Sequence, residues 1–320
     1  MKVIDHIRKA EAEKRTAFSY EILPPLRGKN IDRLFKNIDA LQEFNPIYIN
    51  ITTHRSETVF KETPDGLFKK VTVRSRPGTI AIAAAIKSRY NVNVVPHMLC
   101  SGFTKEETEY ALIDLQYLGI FDLLVLRGDK AKHEKQFTPS VDGHSHATEL
   151  QQQINDFNHG ILCDGSKTEP YDHKFSYGVA GYPEKHEEAP NMDSDIHFMK
   201  QKVDNGAEYI VTQMFFDNAK YFDFVDRCRK EGINVPIIPG LKPITFKSQL
   251  TVLPKIFKSD IPQELASELL KCKTDEEAAV VGTEWTIKQS RELIKAGVPN
   301  IHYYTLMATQ SIKQIATELF

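Results

Sequence analysis

Residues 17–44 read AFSYEILPPLRGKNIDRLFKNIDALQEF. Phe18, Tyr20 and Ile22 alternate as in a strand, and Pro24-Pro25 stops the ladder because neither proline has an N–H to donate. From Asn30 onward apolar residues recur three and four apart, the spacing of an amphipathic helix. The stretch is one strand followed by one helix. It also holds a puzzle: Glu21 places a carboxyl inside the strand, where a buried charge is costly unless it is paired or used.

The same unit recurs along the chain. Strand-like runs follow at IYINITTH (47–54), VNVVPHML (92–99), DLLVLRGD (122–129), FSYGVAGYP (175–183), EYIVTQMFFD (208–217), NVPIIPGLKP (234–243) and NIHYYTLM (300–307). Helical patterns such as TKEETEYALIDLQYLG (104–119) separate them. Alternating strands and helices imply parallel pairing with right-handed crossovers, and eight such units in 320 residues predict a closed (β/α)8 barrel. The alternative is an open doubly wound sheet, which advertises a G-x-G-x-x-G turn after its first strand; none occurs here. Lys130–His146 and Gly160–Lys174 read as long polar loops, and Phe257–Gly297 holds two helical patterns instead of one. With no repeat or linker to divide it, the chain reads as one domain, residues 1–320.

With 41% hydrophobic and 26% charged residues there is ample material for a core, and a net charge of −2 argues against a basic nucleic-acid surface. The charged start MKVIDHIRKAEAEKR lacks the apolar segment of a signal peptide, and TIAIAAAI is too short to span a bilayer. Cys100, Cys163, Cys228 and Cys272 lie far apart without C-x-x-C spacing, so they read as reduced core thiols of a cytoplasmic protein.

In such a barrel, chemistry sits where strands meet their following loops. Those ends carry Glu21, Thr52 with His54, His97, Arg127 with Asp129, Tyr182 with His186, and Gln213. Each has an ordinary reading: His97 as a hydrogen-bonded rim residue, Asp129 as a loop cap, Thr52 as a strand former. His144 and His146 form H-S-H without accompanying carboxylates, which reads as a solvated loop before a metal site. Six strand ends aiming polar groups at one mouth are a stronger signal than any one of them.

The stretch GVAGYPEKHEEAPNMDSDIHFMKQKVDNGAEYIVTQMFFD (178–217) adds specificity. G-Y-P-E-x-H, a helix ending K-V-D-x-G-A and the strand I-V-T-Q-x-F-F-D resemble the methylenetetrahydrofolate reductase family. So do F-S-x-E-x-x-P-P, P-H-x-x-C, L-R-G-D, P-I-I-P-G and Y-T-L, in order from Phe18 to Leu306. The resemblance implies an FAD enzyme on a (β/α)8 barrel that reduces 5,10-methylenetetrahydrofolate to 5-methyltetrahydrofolate, supplying methyl groups for methionine synthesis. NADH or NADPH, with NADH favoured, reduces the flavin and leaves before the folate takes the hydride. Matched by motif, Glu21 is implied as the general acid that opens the folate's five-membered ring to an iminium. Asp129 favours that cation beside the flavin, and Gln213 helps hold folate and nicotinamide in turn. Thr52, His97, Arg127, Gly128, Tyr182 and His186 match positions lining FAD. Asp195 and Lys202 match holders of its ribose and phosphates, and Ala147, after a longer loop here, its adenosine side.

A raised pKa suits the role implied for Glu21, since ring opening near neutral pH needs a carboxyl still protonated there. The chain departs from the family at Phe198, usually Asn, at Gln201, usually basic, and at Met307, usually Asn. T-T-H-R-S-E replaces a glycine-rich phrase after the second strand. Ending at Phe320, the chain resembles the bacterial form that lacks the additional regulatory domain of eukaryotic relatives, and a homo-oligomer is expected. Two rivals remain: a flavin-free folate-binding barrel, opposed by the retained Glu21, Asp129 and Gln213, and a flavin-dependent imino-acid dehydrogenase, opposed by G-Y-P-E-K-H and V-T-Q-M-F-F-D.

Overall fold

The computed structural model describes residues 1–130, 134–306 and 308–320. A helix, α1 (Val3–Ala12), precedes β1 (Ala17–Ile22), followed by α2 (Asp32–Gln42) and β2 (Tyr48–Ile51). An antiparallel hairpin of β3 (Glu57–Glu62) and β4 (Phe68–Val73) leads to α3 (Thr79–Arg89). Then come β5 (Asn93–Leu99), α4 (Lys105–Tyr117), β6 (Asp122–Leu126), α5 (Ala147–Asn158), β7 (Ser176–Gly181) and α6 (Met192–Asp204). β8 (Tyr209–Thr212), α7 (Asn218–Lys230), β9 (Ile237–Ile238), β10 (Gly240–Leu241) and α8 (Gln249–Phe257) follow. The last elements are α9 (Gln263–Lys271), α10 (Asp275–Lys295), β11 (Asn300–Tyr304) and α11 (Thr309–Leu319).

Nine strands form one sheet in the order β10-β11-β1-β2-β5-β6-β7-β8-β9, the (β/α)8 barrel expected from the alternation. The expected seventh strand is two short pieces. β9 pairs with β8 (Ile210 opposite Ile237), whereas β10 pairs with β11 (Gly240 opposite His302). Pro239 separates the pieces and has no N–H to give either neighbour. The sheet therefore begins and ends on one strand, which is how it closes.

The chain forms two compact units. In the first (Met1–Ile22, Lys36–Asn50 and Ser176–Phe320), β1 alternates faces. Phe18 packs against Phe44, Tyr303 and Phe320, at ring-centroid distances of 6.1, 5.6 and 5.4 Å. Ser19, on the other face, bonds Asn300 Oδ1 and His302 Nδ1, both at 2.9 Å, while Tyr48 stacks on His302 at 5.4 Å. Side chains of β1, β2 and β11 thus meet in a polar layer inside the barrel, where Ser19 bridges Asn300 and His302. Helices begin where caps allow: Asn191 accepts from Ser194 N (2.8 Å) ahead of α6, and Asp217 from Ala219 N (2.9 Å) ahead of α7.

The second unit spans Leu23–Phe35 and Ile51–Phe175. β5 and β6 pair in parallel with His97 opposite Leu124. Thr104 and Glu107 form a reciprocal capping box at α4, at 3.1 and 2.9 Å. The hairpin had no counterpart in the expected strands; Phe60 and Phe68 are exposed on it. His144 corrects the solvated-loop reading: it is buried, with Nε2 on Gln153 Oε1 at 2.6 Å. Cys163 likewise is exposed and not a core thiol; Cys100, Cys228 and Cys272 are buried, and all four are free. Among the described residues no helix is long and apolar enough to cross a membrane, and no group of three metal-ligating side chains converges.

Candidate active site

Glu21 stands next to the end of β1, in register with Tyr304 of β11. Its carbonyl accepts from Thr305 Oγ1 at 2.6 Å and Thr305 N at 3.3 Å, which ties the strand end down. The residue is 7% exposed, and burial pushes its carboxyl up to about 8. At neutral pH Glu21 therefore carries its proton. Burial raises the phenols of Tyr48 and Tyr304, and the Glu21 charge, when present, raises them further. Tyr304 Oη is anchored on Thr212 O at 2.6 Å. Gly240 permits this closeness: a Cβ there would lie 2.2 Å from Thr212 O and 2.7 Å from the Tyr304 ring.

Gln213 follows β8 directly and is half-buried. Its backbone N donates to Gly181 O at 2.8 Å and its Oε1 accepts from Met214 N at 3.0 Å, so the amide's orientation is set by backbone. After β7, the Tyr182 and His186 rings meet edge to face at 4.7 Å. Glu188 N donates to His186 Nδ1 at 3.1 Å, which leaves a neutral ring its proton on Nε2. His186 N in turn donates to Oδ2 of buried Asp195 at 2.8 Å, so the loop is pinned to the first turn of α6. Lys202 lies in the last turn of α6, seven residues on, or about 10 Å along the axis at 1.5 Å per residue. Phe198 and Gln201 are both exposed on the same helix, and Gln201 Nε2 meets His197 Nε2 at 3.2 Å. Met307 lies outside the described residues.

In the second unit, Thr52 follows β2, with Oγ1 3.1 Å from His54 Nε2. His97, inside β5, is buried; desolvation, then the charge of His54, pushes it down to about 3, so its ring is neutral at physiological pH. Thr53 Oγ1 holds the His97 carbonyl at 2.6 Å. The L-R-G-D turn after β6 is sewn to the turn after β5. Ser101 N donates to Arg127 O at 2.9 Å, and Ser101 Oγ donates to Asp129 O at 2.9 Å. Gly128 between them takes φ +82°, where a Cβ would also lie 2.8 Å from Ser101 Cβ. The Arg127 guanidinium lies over the Phe137 ring at 4.8 Å, and the Asp129 side chain is exposed. Ala147 is the first residue of α5 and is buried.

The expected residues thus form two local sets. Glu21, Tyr182, His186, Asp195, Lys202 and Gln213 belong to the first unit, and Thr52, His97, Arg127, Gly128, Asp129 and Ala147 to the second. Sequence reading passed over three others. Tyr304 and Thr305 hold the Glu21 strand end, and the alternation Asn300, His302, Tyr304 could have revealed that Tyr304 shares the face of the polar layer. Lys242, one residue beyond β10, is only 3% exposed. A lysine between Leu241 and Pro243 in an apolar run was its signal.

A family model described as methylenetetrahydrofolate reductase matches residues 6–319. Methylenetetrahydrofolate reductase 1 of Schizosaccharomyces pombe is 29% identical over all of this chain, and methylenetetrahydrofolate reductase (NADH) 1 of Arabidopsis thaliana is 30% identical over 97% of it. The chain spans about half of those proteins, 48% and 49% of their lengths. 5,10-Methylenetetrahydrofolate reductase of Escherichia coli is 28% identical over 93% of this chain and 88% of its own. Among solved structures, an uncharacterized protein from Clostridium thermocellum that binds two copies of 5-methyl-5,6,7,8-tetrahydrofolic acid shares the fold, with a TM-score of 0.59, 14% identity and 97% of each chain covered. With the family model running from the first helix to the last, this chain belongs to the methylenetetrahydrofolate reductase family.

Proposed function

We propose that the chain reduces 5,10-methylenetetrahydrofolate to 5-methyltetrahydrofolate with electrons from NADH or NADPH, using FAD, and that residues 1–320 act as one catalytic domain. The observation that carries this reading is Glu21, a carboxyl buried at a strand end and still protonated near neutral pH. Opening the folate's five-membered ring needs a proton on the departing ring nitrogen, and an acid with a pKa near the working pH delivers it best. Glu21 supplies that proton and Asp129 supplies a fixed negative charge for the iminium left behind. Gln213, its Oε1 engaged by Met214 N, offers an amide of set orientation to the pterin and then to the nicotinamide.

The donor set fits FAD. Neutral His97 and the Thr52 hydroxyl suit an uncharged ring system, Arg127 and Lys202 suit phosphates, and Asp195 suits ribose hydroxyls. Gly128, Asp129, Ala147, Tyr182 and His186 complete the set carried over from the family motifs. When bound, FAD supplies the two-electron chemistry that no side chain here can. An oligomer and a role in methionine synthesis rest on the family resemblance alone, and a cytoplasmic setting on that and on the cysteine pattern.

The test is anaerobic. A yellow protein should lose its flavin absorbance on adding NADH and regain it on adding methylenetetrahydrofolate. A protein that neither carries nor takes up FAD would refute the proposal.

A further inference from the structure

Lys242 directly follows the strand that closes the barrel. Gly240 registers with His302 and Leu241 with Tyr303, so the next residue, Lys242, stands level with Tyr304, which registers with Glu21. The His302 side chain belongs to the polar layer inside the barrel, where it meets Ser19 and Asn50. Gly240 shares that face, and by the two-residue period of a strand so does Lys242, one layer higher. Glu21, Tyr304 and Lys242 therefore form one row across three adjacent strands. At about 4.8 Å per strand, the backbones of the lysine and the acid lie about 10 Å apart.

The ammonium in this row is almost wholly withdrawn from water, at 3% exposure. Among the described residues its one polar contact is the carbonyl of its own neighbour, Pro243, at 3.5 Å, and it makes no ion pair. A buried cation with so little compensation is costly to keep, and burial accordingly brings its pKa down to about 8. Packing does not demand the charge, since Leu241 and Pro243 beside it are buried without one. An anion arriving with a ligand would complete the site.

We propose that Lys242 is the anion-holding residue of the substrate site, its ammonium taking a carboxylate or phosphate of the ligand whose reacting end lies at Glu21. The inference rests on the reductase reading above. A carboxylate would come from the glutamate end of a folate, a phosphate from a nicotinamide dinucleotide.

Equilibrium binding to the FAD-loaded wild type, Lys242→Met and Lys242→Arg separates the two sources. The probes are 5-methyltetrahydrofolate and its analogue with an uncharged amide in place of the glutamate, and NADH and reduced nicotinamide riboside, which has no phosphate. Lys242→Met should weaken one anionic probe by at least about tenfold, leave its anion-free analogue within about twofold, and be largely rescued by Lys242→Arg. Loss in the folate pair assigns a carboxylate, and loss in the nicotinamide pair a phosphate. Unchanged binding of both anionic probes, or equal loss with and without the anion, overturns the inference while leaving the reductase reading intact. A wild type that turns over no methylenetetrahydrofolate and binds none of the four sinks both. Should Lys242→Met fail to fold, Lys242→Gln carries the same comparison.

Discussion

Glu21 and Asp129 are two carboxyls at the ends of barrel strands, and the chain treats them in opposite ways. Glu21 is inside its strand, buried, in register with Tyr304 and held at its carbonyl by Thr305. Asp129 is outside its strand, exposed, on a turn whose carbonyls are tied to Ser101 while its carboxyl is not. Burial keeps the first group neutral, whereas the second faces solvent. One surrounding suits a proton donor and the other a fixed negative charge.

The largest test of that contrast is Glu21→Gln, which keeps shape and removes the proton. Methylenetetrahydrofolate reduction should fall roughly 10²–10⁴-fold, the usual cost of losing a general acid. Oxidation of NADH by the same variant should stay within about tenfold of the wild type, a barrier change of about 1.4 kcal/mol. Stopped-flow comparison of the two steps decides it; near-normal folate reduction would make Glu21 a structural carboxyl.

The same variant tests the burial physics without any substrate. Glu21 titrates near 4.5 when unfolded and near 8 when folded, so between those values the folded chain binds the extra proton. Stability from this group therefore falls as pH rises from 4.5 to 8 and levels off above, with a limiting slope of about 1.4 kcal/mol per pH unit. Melting temperatures of Glu21→Gln and wild type should diverge from pH 5 to pH 8, the variant gaining. A constant gap would show that Glu21 is not desolvated.

Asp129→Asn should have a smaller effect, at most roughly 10²-fold, and should slow folate reduction more than flavin reduction, because only the folate step develops an iminium cation. Equal slowing of both steps would break the contrast with Glu21. Smallest is Gly128→Ala, which forces a side chain into a left-handed conformation against Ser101 Cβ. It should cost about 1–2 kcal/mol by denaturant titration, and the Asp129 turn should loosen with it.

Much of this was legible before any coordinates. The eight βα units were, because strand and helix impose different periods on apolar residues and the proline pair after Ile22 punctuates the first. The hairpin was not: Glu57–Val73 is exposed nearly throughout, so no buried face imprinted a pattern on it. Glu21 stood out as a charge inside an apolar run. Lys242 stood inside the run read as the seventh strand, but it lies at that strand's end, where a lysine ordinarily reaches out to solvent. His144 looked like loop polarity, yet it packs against the helix that follows, meeting Gln153 at 2.6 Å and Glu149 at 4.0 Å.

The divided seventh strand makes the barrel a clasp instead of a seamless hoop. Two residues grip one neighbour, two others grip the opposite neighbour, and Pro239 between them contributes no amide to either. Cooperative units open first where backbone pairing is thinnest, so amide exchange should begin at Ile238 and Leu241 while β1 stays protected. That fastening lies one residue from Lys242, and an anion gripped by the lysine would hold the clasp shut. Occupancy should then be visible as slower exchange at the closure, a report on binding that needs no turnover at all.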